Sequence, residues 1–129
     1  MSFRLGDLRR WLSDGDVVHR VRRADGSTAV QSVDELRCRS AVTDSRQVED
    51  GFLFCAVQGD DLHGATFLPN ALAAGAVAAL VEGTAGTVEG SAAPVIEVED
   101  ARRALAVAAR GWLDQHGPRV IGITGSNGK

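Results

Sequence analysis

Apolar residues recur along this chain with two different periods, and the switches between them mark its elements. Leu5, Leu8, Trp11 and Leu12 fall at i, i+3, i+6 and i+7, on one face of a short helix that Ser2 is placed to cap. Asp14-Gly15-Asp16 breaks that pattern. Val17 to Val21 then reads as a strand, and Asp25-Gly26 predicts a turn into a second arm around Thr28-Ala29-Val30, which makes a hairpin. His19, with no carboxylate or second histidine near it, reads as an ordinary strand histidine. Ala41-Val42-Thr43 and the run from Phe52 to Val57 predict two strands around a tight polar connection, and the lack of alternation in the second suits a strand covered on both faces. Phe67, Leu68, Ala71 and Leu72 give residues 65–74 an apolar helical face that Gly75 closes, and Ala76 to Val81 follows as a buried strand. Pro94 opens a strand through Val98. Asp100 is placed to cap a helix over 101–113, with Ala101, Ala104, Leu105, Ala108 and Trp112 on one face and Arg102, Arg103 and Arg110 toward water. Gly117-Pro118 ends it, and a last strand begins near Val120. Alternating β and α elements predict an α/β fold: a mixed, mainly parallel sheet flanked by helices, with the hairpin attached near the N-terminus.

Composition narrows the function classes. The chain has 129 residues, enough for one domain with its own core, and 14 basic against 17 acidic residues give a net charge of −3. No long block of like charge occurs, which argues against a nucleic-acid-binding stripe, and Arg20, Arg22 and Arg23 read as a solvated face. Cys38 and Cys55 have neither the spacing nor the histidine partners of a zinc site, and Cys55 lies in an apolar run as a small buried hydrophobe. No apolar stretch approaches the ~20 residues that span a bilayer, and Met1-Ser2-Phe3-Arg4 does not open a signal peptide, so a cytoplasmic domain without membrane contact is expected.

Candidate chemistry is confined to two stretches. No Ser-His-Asp arrangement, G-x-S-x-G elbow, G-x-G-x-x-G fingerprint or paired-histidine metal motif is present, so no catalytic residue and no metal ligand is assigned. Asp44-Ser45-Arg46, at a strand end, combines a carboxylate, a hydroxyl and a guanidinium suited to sugar hydroxyls, base edges or a diphosphate. The same residues also suit a capped turn in which Asp44 or Ser45 bonds local amides and Arg46 pairs with Asp50 or Glu49. The second stretch is Thr124-Gly125-Ser126-Asn127-Gly128-Lys129 after an apolar run. Its glycines let backbone N–H groups approach phosphate and its lysine can meet the terminal phosphates, although Ile123 stands where the usual P-loop has glycine. A strand followed by a Gly-rich turn is the plainer alternative.

Together the two stretches carry a resemblance. Thr43-Asp44-Ser45-Arg46, Gly51, Leu53-Phe54, Ala56, Gly59, His63-Gly64, Phe67, Ala71 and Gly75-Ala76 with Ala78 resemble the amino-terminal domain of the Mur ligases, and Ile123 to Lys129 is similar to the start of their central ATPase domain. The resemblance implies a substrate-binding domain over 1–118 and the beginning of an ATPase domain over 119–129. It implies UDP contacts at Thr43 and Ser45, with Arg46 beside them, and at Asp60, Asp61 and Leu62, and a partial ATP loop at Gly125, Ser126, Asn127, Gly128 and Lys129. His63-Gly64-Ala65 with Phe67 leans toward the MurE type, which adds the third residue of the peptide. Ser126 and the short path from Trp112 through Pro118 lean toward the MurF type, which adds D-alanyl-D-alanine. MurE is the narrow choice. In the full enzyme the implied reaction joins an amine to the carboxylate of a UDP-N-acetylmuramoyl peptide through an acyl phosphate, with ATP and Mg2+, for peptidoglycan synthesis. This chain by itself is expected to bind the UDP-sugar weakly, to hold no cofactor and to need the central and carboxy-terminal domains. A non-catalytic interaction module of the same fold and an unrelated P-loop NTPase are the competing classes.

Overall fold

In a computed structural model of the chain, residues 2–27, 33–57, 67–83 and 87–116 are described. The elements in order are β1 (Phe3–Arg4), α1 (Leu5–Asp14), β2 (His19–Arg23), β3 (Arg37–Cys38), β4 (Ser40–Val42), β5 (Phe52–Ala56), α2 (Leu68–Ala73), β6 (Ala78–Glu82), β7 (Pro94–Val98) and α3 (Ala101–His116), with 3-10 turns at Val33–Glu35 and Ser45–Gln47.

Five strands form one sheet in the order β2-β7-β6-β5-β4, and β1 pairs separately with β3. The pairs β4–β5, β5–β6 and β6–β7 are parallel, whereas β2 runs antiparallel along β7. This is the mixed, mainly parallel α/β sheet that the alternation of elements predicts. The unalternating apolar runs follow from burial on both faces. Leu53, Cys55, Ala78, Leu80, Ile96 and Val98 face a core shared with α1 and α3, while Phe54, Ala56, Ala79, Val81 and Val95 face a second core shared with α2.

Two local expectations change. Ser2 does not cap α1. Phe3 and Arg4 instead pair with Cys38 and Arg37, so the helix starts after them, Arg4 takes the cap position and its N–H donates to Asp7 Oδ2 at 3.0 Å. The turn after β2 forms, with Gly26 N–H donating to Arg23 O at 2.9 Å, but the second hairpin arm at Thr28-Ala29-Val30 lies outside the described residues, and the described partner of β2 is β7. The predicted strand near Val120 is likewise outside them.

The expected capping and packing of α3 are observed. Asp100 Oδ1 accepts the Arg103 N–H at 3.1 Å, and Glu82 Oε1, from the end of β6, accepts the Ala101 N–H at 3.0 Å. Gly111 of α3 lies against Trp11 of α1, whose indole N–H donates to Gln115 Oε1 at 3.2 Å and whose ring meets Trp112 edge-on at a 6.3 Å centroid distance. Gly75 closes α2 with φ +115°, a conformation that side chains rarely adopt.

The candidate nucleotide-binding edge

Because β4, β5, β6 and β7 are parallel, their carboxyl ends lie on one edge of the sheet, which is where open α/β sheets take ligands. The residues Thr43 to Gln47 leave β4 on that edge. Asp44 is extended (φ −106°, ψ 118°) and precedes the 3-10 turn Ser45–Gln47. Its Oδ1 accepts the backbone N–H of Arg46 at 2.9 Å and the Arg46 Nε–H at 3.1 Å, while its Oδ2 accepts from Arg46 Nη2 at 2.9 Å. The guanidinium therefore grips both carboxylate oxygens. This charge-assisted bonding to Arg46, side chain first and backbone second, holds the Asp44 carboxyl below its ordinary value of 3.8.

The geometry corrects one expectation and refines another. Arg46 pairs with Asp44, not with Asp50 or Glu49, because the tight turn brings its side chain back over the capping carboxylate. Asp44 is the residue that caps the local amide. Thr43 is exposed and Ser45 half-buried, and among the described residues no side-chain hydrogen bond engages either hydroxyl. What the turn presents is thus two hydroxyl groups beside an internally neutralised ion pair. Asp60, Asp61 and Leu62 lie outside the described residues, as do Gly125, Ser126, Asn127, Gly128 and Lys129, so neither the loop after β5 nor the terminal loop enters this geometry.

Elsewhere the basic cluster on β2 departs in part from the solvated face expected of it: Arg20 is exposed, but Arg22 is not. Arg22 Nε donates to Glu97 Oε2 at 2.8 Å, with the two side chains only 14% and 9% exposed, and Arg20 stands 3.8 Å from the other oxygen. The pairing is invisible in local sequence because the partners are 75 positions apart. His19 is a strand histidine as expected: its Nδ1 lies 3.2 Å from Val17 O, and Arg9 Nε–H donates to its Nε2 at 3.4 Å. Among the described residues no group of three or more His, Cys, Asp or Glu side chains could hold a metal ion, and no helix is long and apolar enough to cross a membrane.

A mixed, mainly parallel sheet flanked by helices defines an α/β domain, and comparison with known proteins specifies its family. Residues 38–112 match the model of the Mur ligase family, catalytic domain, and the chain belongs to that family. It is 42% identical over 86 residues to the UDP-N-acetylmuramoyl-L-alanyl-D-glutamate--2,6-diaminopimelate ligase of Caulobacter vibrioides, covering 67% of this chain and 17% of that protein. To the UDP-N-acetylmuramoyl-tripeptide--D-alanyl-D-alanine ligase of Synechocystis sp. it is 38% identical over 98 residues, or 74% of this chain and 21% of that one. A crystal structure of MurF from Acinetobacter baumannii superposes with a TM-score of 0.64 over 89% of this chain and 22% of that chain; at 20% identity it shares the fold. The chain thus spans about a fifth of the length of the relatives it matches.

Proposed function

We propose that residues 1–118 are the UDP-binding domain of an ATP-dependent ligase that extends the peptide of a UDP-N-acetylmuramoyl precursor of peptidoglycan, and that residues 119–129 begin its central ATPase domain. The observation that carries the reading is the position of Thr43-Asp44-Ser45-Arg46: inside the family match, and at the carboxyl edge of the parallel strands, with two hydroxyls that no side-chain hydrogen bond engages among the described residues. Thr43 and Ser45 are assigned to the uridine, and backbone N–H groups around Asp60, Asp61 and Leu62 to the diphosphate, since two carboxylate side chains would repel it. Gly125 to Lys129 take the phosphates of ATP only in the company of a central domain.

The MurE-type reaction, addition of the third peptide residue, is favoured by the diaminopimelate ligase named above. The D-alanyl-D-alanine ligase, matched over a longer span, supports the MurF-type alternative. Titration calorimetry on the chain distinguishes the reading from its rivals. UDP and UDP-N-acetylmuramoyl peptide should bind, and ATP should be neither bound tightly nor hydrolysed. Binding of ATP without UDP would overturn the assignment.

A further inference from the structure

We propose that Asp44 and Arg46 act as positioning residues that hold the Thr43–Ser45 turn for the nucleoside half of the ligand, and that Arg46 does not grip the diphosphate. The inference rests on the UDP-binding reading above and narrows it to one moiety. One edge of the Arg46 guanidinium is occupied by Asp44, Nε on Oδ1 and Nη2 on Oδ2, so its charge is already matched. A diphosphate meeting its other edge would find a charge already offset by Asp44, with that carboxylate close by to repel it. Oδ1 also accepts the Arg46 N–H, which ties the clasp to the backbone, and the turn is closed by Gln47 N–H on Asp44 O at 2.9 Å and Val48 N–H on Ser45 O at 3.5 Å. Ser45 lies inside this closure and Thr43 directly before it. Hydroxyls, each able to donate and accept, suit ribose hydroxyls and the carbonyl and N–H groups of a pyrimidine edge. A neutral turn offers nothing special to a phosphate.

The test uses uridine and UDP as separate probes, in NMR titrations that read millimolar binding, on the wild-type chain, Asp44→Ala, Arg46→Ala, Arg46→Lys and the Asp44→Ala/Arg46→Ala pair. Loss of the clasp should weaken uridine and UDP by the same factor, roughly fivefold for one or two misplaced hydrogen bonds. The double variant should bind no more weakly than Asp44→Ala, Arg46→Lys should fail to restore affinity because an ammonium cannot span both oxygens, and the thermal midpoint should stay in place. Arg46→Ala that weakens UDP but spares uridine, with Arg46→Lys restoring it, would overturn the proposal in favour of a phosphate contact. Variants that bind as the wild type does would overturn it too. A wild-type chain that binds neither probe defeats the UDP-binding reading itself, and this inference with it, before any variant is examined.

Discussion

At the scale of single residues, burial decides more than residue type does. Cys38 and Cys55 are both free thiols with almost no exposed surface, and burial pushes each up from 9.0 to about 12. They should therefore be inert where exposed thiols react. At pH 8 a thiol reagent is expected to label neither in the folded chain and both in denaturant; rapid labelling of the folded chain would contradict their burial. The sign of the pH effect follows. Unfolded thiols ionise near pH 9 while the folded ones keep their protons, so their contribution to stability is complete below about pH 9 and declines as pH rises toward 12. The burial of Cys55 was legible in its apolar run, and the capping by Asp100 in its place before a helical pattern. The Asp44–Arg46 clasp was not, because several carboxylates lie within reach of Arg46 in sequence and only the tight backbone turn selects among them.

At the scale of elements, one tight helix contact runs against propensity. Gly111 occupies the middle of α3, where alanine would ordinarily favour the helix by about 1 kcal/mol. A Cβ there would stand 2.6 Å from Cδ1 of Trp11, an indole fixed by its bond to Gln115. The clash wins. Gly111→Ala is expected to destabilise the chain by about 1–3 kcal/mol, read as a lower urea midpoint with unchanged m-value; a higher midpoint would show that α1 and α3 are looser than described. Periodicity in sequence located both helices but not this crossing, since a glycine inside a helix reads as a weakness until its neighbour is known. The start of α1 was misplaced for a related reason. The β1–β3 pairing, which joins residues 3–4 to 37–38, claims the positions that a local reading gives to the cap.

At the scale of the whole molecule, the mixed sheet and a strand near Val17 to Val21 were legible, and the pairing of that strand with β7 was not. Parallel strands buried on both faces announce themselves as apolar runs, whereas the arginines of β2, with the sequence His-Arg-Val-Arg-Arg, look like surface until Glu97 of the neighbouring β7 is placed beside them. Removing that carboxylate should be costly. Glu97→Ala breaks the buried pair with Arg22 and is expected to cost about 3–5 kcal/mol, while Arg22→Met with Glu97→Leu should recover most of it in the same denaturation measurement. Equal losses in the single and double variants would mean that the pair holds β2 in a way that apolar packing cannot replace.

The pairing of β2 with β7 also has a consequence for synthesis on the ribosome. Arg22 must wait for Glu97, 75 residues later, and at about 5–20 residues per second that is an interval of roughly 4–15 s. Through that interval the nascent chain carries a strand whose described partner has not yet been made. Its three arginines and single valine, where the interior strands carry aliphatic runs, suit it to the delay: like charges on neighbouring nascent chains repel, and an arginine-rich segment can stay dissolved until β7 emerges to receive it.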